Sequence, residues 1–238
     1  MDETTGPLPD PGSRLPLFPL GSVLFPGMVV PLRVFEERYR AMMGHLLAIP
    51  SPTDRLFASV AIREGYEVGD HGQQELYRVG CRLQVSEVSR RSDGSYDIVA
   101  TCRDRIRLRE IDTAGSFPVG VVERIEDEIE ASSAEPGSAT SAAVIEALSR
   151  FAAFREQLRE VRGDPLPEAL PEDPEYLAWS LGAASPLTLP DRQLLLETTD
   201  PIGRLELISR VLREETALMA ALPSLPATDL ARTSWSPN

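Results

Sequence analysis

Catalysis and metal binding need particular side chains within reach of one another, and this sequence holds few of them. Its two histidines, His45 and His71, share no ligand-like spacing with each other or with the two cysteines, Cys81 and Cys102. A zinc site therefore has no framework. Two cysteines are too few for a disulfide scaffold, and both sit among apolar, strand-like residues where a free thiol packs as a small hydrophobe. Redox or disulfide chemistry is the lesser reading. There is no lysine anywhere in the 238 residues. That removes from them the lysine of a phosphate-binding loop, a serine–lysine nucleophile pair and Schiff-base chemistry. Serine is plentiful, but no Gly-x-Ser-x-Gly elbow occurs and no Ser–His–acid order is apparent. The carboxylates from Glu123 to Glu130 read as a solvated acidic segment. A hydrolase would need two close carboxylates in a deep pocket that the sequence does not announce. No catalytic residue, cofactor or metal is expected.

Two patterns could bind rather than react. Arg103, Arg105, Arg107 and Arg109 alternate, with Cys102, Ile106 and Leu108 between or beside them, so a regular strand would turn all four guanidinium groups to one face. Such a stripe could hold an anion or an acidic peptide. The simpler reading is a solvated face balanced by Glu110, Glu123, Glu126 or Asp127. The second pattern is apolar and surrounds Phe25-Pro26-Gly27. Phe25, Met28, Phe35 and Tyr39 are candidates for contacting extended peptide, provided that some of them, Met28 first, stay exposed beside the turn. The simpler alternative is core formation, worth about 1.5–3 kcal/mol for each fully buried side chain.

The elements that must position these residues divide at an acidic, small-residue stretch. Before it, β patterns dominate. Leu15–Leu20, Met28–Leu32, Phe57–Ile62, Tyr77–Val88, Tyr96–Ile111 and Phe117–Ile125 read as strands. Ser92-Asp93-Gly94-Ser95 is expected to be a tight hairpin turn. One helix interrupts them over Val34–Ala48, with Phe35, Tyr39, Met42, Met43 and Leu46 at helical spacing. After the stretch the period is helical throughout: a first face through Val144, Phe151 and Leu158, a second helix opened by Asp173-Pro174, a short third near Pro190 and a last from Pro201 to about Leu222. The expected divisions are a disordered 1–13, a β-rich 14–128, a linker 129–141, a helical unit 142–222 and a disordered tail 223–238.

Net charge is −13, which repels a polyanion and disfavours nucleic acid as a partner. No apolar run approaches the roughly 20 residues that span a bilayer. The opening residues Met1–Pro7 carry neither a basic region nor an apolar core, so no secretory signal is expected and a cytoplasmic location is the default.

The order of segments is more specific than the composition. Leu15-Pro16-Leu17-Phe18-Pro19-Leu20-Gly21-Ser22-Val23-Leu24-Phe25-Pro26-Gly27, followed by Pro31-Leu32-Arg33-Val34-Phe35-Glu36-Glu37-Arg38-Tyr39-Arg40, resembles the opening signature of the N-terminal, substrate-binding domain of ATP-dependent Lon proteases. Val79-Gly80-Cys81, Cys102–Leu108 and the closing stretch from Asp191 through Glu215 are similar to later family segments in the same order. Cys102 and Ile106 depart from it, standing where the family has glycine and an aromatic residue. The resemblance covers roughly 14–220. It implies an α+β fold: a PUA-like β pseudo-barrel with one capping helix, followed by a C-terminal helical bundle. It also implies a non-catalytic polypeptide-binding module, a stand-alone bacterial copy without ATPase or peptidase. Its expected partners are unfolded or apolar polypeptide segments, and a protease or chaperone. RNA binding, which related PUA folds perform, is the alternative from a different class.

Overall fold

The computed structural model describes residues 12–64, 75–127, 138–162, 170–171, 173–185 and 187–221. The chain divides into two compact units after Glu126. The expected disordered ends and most of the expected linker lie outside the described residues. Ser13 already belongs to a strand, and 138–141 already belong to a helix.

The first unit holds β1 (Ser13–Pro16), β2 (Val29–Val34), α1 (Glu37–Leu47), β3 (Leu56–Glu64), β4 (Glu75–Arg90), β5 (Tyr96–Asp112) and β6 (Val119–Arg124). The strands form one antiparallel sheet in the order β1-β6-β5-β4-β3. β2 pairs with the first half of β5, beyond the reach of β6, which pairs with the second half. The chain beyond β1 then runs parallel beside β3, at the other end of the sheet. There the Phe18 N–H donates to Ala58 O (2.9 Å), Leu20 N–H to Val60 O (3.1 Å) and Ile62 N–H to Leu20 O (2.8 Å).

Two apolar clusters follow from this sheet. Leu17, Ala58, Val60, Ile106, Leu108 and Val122 pack together on one side. Around α1, the buried Tyr39, Met42, Met43 and Leu46 occupy one face, as their helical spacing requires. Phe18 meets Tyr39 edge-on at 4.3 Å and Phe57 at 6.3 Å between ring centroids, the arrangement that aromatic quadrupoles prefer. β3 and β4 approach very closely at Gly80, where a Cβ would fall 2.0 Å from the Ser59 carbonyl oxygen.

Turn chemistry sets the strand phases. Phe25-Pro26-Gly27-Met28 closes with Met28 N–H on Phe25 O at 3.1 Å, and Gly27 has φ +84°. This is a type II turn with proline and glycine in their preferred places. Gly27 N–H also donates to Cys102 O (3.0 Å) while Cys102 N–H donates to Met28 O (2.8 Å). Gly27 is thus the first residue of a glycine bulge opposite Cys102. The β4–β5 hairpin turns tightly at Ser92–Ser95, as expected, closed by Arg91 N–H on Ser95 O (2.9 Å). Only Gly94 takes a positive φ there, and Asp93 instead accepts from Ser95 N–H (2.9 Å) and Ser95 O–H (2.6 Å).

The second unit contains α2 (Ser138–Arg162), α3 (Pro174–Ala184), α4 (Leu189–Glu197) and α5 (Pro201–Ala221). α2, α3 and α4 each pack on α5, and α3 also touches α2. The N-termini of α4 and α5 are capped by side chains. Asp191 N–H donates to Thr188 Oγ1 (3.3 Å), and Ile202 and Gly203 N–H donate to the Asp200 carboxylate (3.0 and 2.8 Å). Arg204 is wholly buried within this unit. Its guanidinium lies 4.2 Å from the Trp179 ring centroid, pairs with Asp127 and donates to Thr199 O.

Candidate peptide-binding face

The bulge at Gly27 fixes which side of β2 meets the core. From Met28 onward the alternation turns Val30, Leu32 and Val34 inward and Val29, Pro31 and Arg33 outward. Val29 is 61% exposed, and Phe35, just past the strand, is 46% exposed. Across β5 the outward residues sit opposite Thr101, Val99 and Asp97, all half-buried. β4 then supplies Glu87 and Ser89. Val29, Pro31, Val99 and Phe35 therefore give this side of the unit its apolar exposed surface. Charged groups stand beside it. Arg33 lies 3.5 Å from Asp93, and Arg91 pairs with Asp97 at 2.5 Å. The Ser95 hydroxyl and N–H, followed by Arg33 and Arg91, hold the Asp93 carboxyl below its ordinary range. Thr101 and Ser86 share a hydroxyl bond of 2.9 Å. A shallow groove lined by Pro31, Arg33, Glu87, Ser89, Asp97 and Val99, among others, opens here. Apolar residues rimmed by charge are what a peptide-contacting surface requires.

The outer edge of β2 is less inviting. Among the described strands β2 pairs only with β5. The Met28–Cys102 bonds imply that the backbone groups of Val30, Leu32 and Val34 point at β5 and those of Val29, Pro31 and Arg33 point away. Pro31 has no N–H, so the row of outward donors is broken at its middle. The surface offers side chains more readily than a strand edge.

Of the four apolar candidates, two are core residues. Phe25 is fully buried, sealed by the turn it begins, and Tyr39 is buried against Phe18. Met28 is half-buried, and its Sδ accepts the Phe25 N–H at 3.2 Å. Phe35 is exposed because α1 starts only at Glu37, so the helical spacing that seemed to include it does not apply. Val29, Pro31 and Val99 were not singled out. Period two in Met28–Leu32 was the available signal, but both faces of that run are apolar, so it could not say which one is exposed.

The arginine stripe does not exist as one face. β4 alternates regularly through Cys81, Leu83 and Val85, while β5 opposite it goes from Arg105 to Cys102, one residue too many. This bulge reverses the phase, so Arg103 and Arg105 point to opposite sides of the sheet. Arg105 is only 4% exposed and lies beside Cys81. A further irregularity with β6 falls at Arg109. Arg103 donates twice to Gln84 Oε1 (2.9 and 2.6 Å), and Arg109 pairs with Glu123 at 2.6 Å. That pairing raises the Arg109 guanidinium and lowers the Glu123 carboxyl. Glu123 was one of the expected counter-charges.

The two cysteines are buried and free. A bond with the Cys102 thiol, then burial, pushes the Cys81 thiol well above its ordinary value, which makes it a poor nucleophile. His45 is exposed, with its ring 5.5 Å from that of Phe117; His71 lies outside the described residues. Among the described residues no three His, Cys, Asp or Glu side chains come together as a metal site, and no helix is long and apolar enough to cross a membrane.

An antiparallel sheet with one packed helix, followed by a set of four helices, defines an α+β protein. Comparison with known proteins is more specific. Residues 14–214 match the family described as the ATP-dependent protease La (LON) substrate-binding domain. Lon protease 2 of Herpetosiphon aurantiacus is 30% identical over 209 residues, covering 85% of this chain and 24% of that protein. Lon protease 2 of Sorangium cellulosum is 30% identical over 218 residues, covering 86% and 25%. The chain thus spans about a quarter of the length of the curated relatives it matches. Among solved structures, the N-terminal domain of a Mycobacterium avium complex Lon protease superposes with a TM-score of 0.58 at 22% identity, covering 86% of this chain and 98% of that one. A Lon N-terminal domain protein from Xanthomonas campestris gives 0.54 at 24%, covering 84% and 98%. This chain belongs to the Lon substrate-binding domain family.

Proposed function

We propose that this protein is a non-catalytic module that captures exposed apolar segments of other polypeptides on the open face of β2, β5 and β4. Family membership supports polypeptide binding as the task. The observation that carries the location is the exposure of Val29 and Phe35 beside Pro31 and Val99. Contact through side chains on an open face, without a closed pocket, gives weak and promiscuous binding, as surveying unfolded chains requires. A protease or a chaperone in the cytoplasm is the recipient this role implies. The bonds from Phe18–Leu20 to β3 support a sheet curled into a PUA-like pseudo-barrel, and the packing of three helices on α5 supports a C-terminal bundle. The working divisions are 14–128 and 142–222, joined by 129–141. The RNA alternative, which rests on the kinship of PUA folds, gains no support from the arginines, since they are split between faces and Arg103 and Arg109 are engaged with Gln84 and Glu123.

The test is a screen of immobilised peptides, with hits confirmed by fluorescence anisotropy against wild type, Val29→Asp and Phe35→Ala. Saturable binding to apolar sequences, weakened by both substitutions while circular dichroism is unchanged, supports the proposal. Binding that both variants retain would move the site elsewhere, and no binding at all would end the reading.

A further inference from the structure

The open face of β2, β5 and β4 has one charged side chain without a partner among the described residues. Arg33 faces Asp93 at 3.5 Å, Arg91 pairs with Asp97, and Arg103, two positions beyond Thr101, donates both its bonds to Gln84. Glu87 is exposed, and among the described residues its carboxylate makes no ion pair or hydrogen bond. The strand is irregular just where this carboxylate stands. Along β4, Cys81, Leu83 and Val85 turn to the core, and strict alternation would turn residue 87 the same way. Instead β4 advances from Val85 to Glu87 while β5 advances only from Ala100 to Val99. Ser86 is the added residue of this bulge, so Ser86 and Glu87 are both exposed on the outer side. Glu87 therefore lies in line with Val99 and Pro31, at the border of the apolar strip.

We propose that Glu87 selects what this face captures: extended apolar segments with a lysine or arginine two positions from an apolar residue. The inference rests on the capture reading above and names its substrate class. A lysine or arginine suits the place because its aliphatic stem covers Val99 while its charged head meets the carboxylate. The spacing follows from the sheet. Pro31 and Glu87 stand two strand spacings apart, about 10 Å. In an extended ligand lying across the strands, side chains two positions apart share a side and are about 7 Å apart. The length of the basic side chain closes the difference, whereas a cation at the adjacent position points away from the face. The net charge of −13 attracts any cationic peptide at long range. It does not distinguish these two spacings.

Fluorescence anisotropy on the full chain tests this with extended apolar peptides, acetylated and amidated so that only side chains carry charge. In the first peptide a lysine stands two positions from a leucine, in the second it is adjacent, and in the third glutamine replaces it. Wild type is expected to bind the first about threefold more tightly than the other two, the scale of one exposed ion pair. The difference disappears in about 1 M salt, where charges are screened beyond about 3 Å. Glu87→Gln removes the preference, and Glu87→Arg turns it toward a peptide with glutamate at the same place. Both variants keep the wild-type circular dichroism melt. Equal affinity for the three peptides, or a preference that survives Glu87→Gln, overturns the proposal and leaves capture standing. So does a lysine preference indifferent to spacing, the mark of net charge alone. If no peptide binds, capture itself fails and this inference falls with it.

Discussion

Gly27 shows how much a single residue decides here. Its φ of +84° serves a type II turn and a bulge at once, and nothing within 4 Å would obstruct an added Cβ. Gly27→Ala therefore isolates the conformational cost. The expected loss is about 1–2 kcal/mol, read as a lower denaturation midpoint at unchanged slope. Arg204 is the opposite case, a residue whose surroundings were not visible in the sequence. Helical spacing places it in a closing helix, but only the structure shows it wholly buried over Trp179 with Asp127. Asp127→Asn leaves that charge buried without its carboxylate, and chemical denaturation should show a loss of about 3 kcal/mol. The cysteines were legible as core residues from their apolar neighbours. Both should stay unreactive to a thiol reagent in the native protein and react only on unfolding, since Cys81 is buried and its thiol held protonated.

The strands and helices were legible wherever period and punctuation agree. Phe25-Pro26-Gly27 announces its turn, Thr188-Leu189-Pro190-Asp191 its helix start, and Tyr39, Met42, Met43 and Leu46 their common face. What failed was phase along a strand. A bulge adds one residue without any mark in the sequence, and the one between Cys102 and Arg105 turned an apparent stripe of four arginines into two faces, with Arg105 in the interior. The same limit hid the binding face, because Val29 and Val30 differ only in which way the turn points them. Pro31 belongs to this scale as well. Edge strands that lack an interruption recruit other strands, so Pro31→Thr, which supplies the missing N–H, should lower the onset temperature of aggregation measured by light scattering.

For the whole molecule, charge and exposure make the testable statements. The carboxyls of Asp93, Asp112 and Glu123 all lie below their ordinary range. Ser95, then Arg33 and Arg91, hold down Asp93. The Ala114 N–H and Arg14 hold down Asp112, and Arg109 holds down Glu123. A depressed carboxyl stabilises the fold above its unfolded value and loses that contribution as pH falls through the folded one. Thermal melts should therefore be flat near neutrality and fall below about pH 4, with Asp93→Asn showing a smaller acid decline than wild type. Function at this scale rests on where a polypeptide lands. The most direct measurement is amide chemical-shift mapping of the full chain during titration with an apolar peptide. The account predicts shifts at Val29, Arg33, Phe35, Val99 and Thr101 that saturate together, with the buried turn at Phe25 little changed. Saturable binding whose shifts fall only on α2–α5 would contradict it.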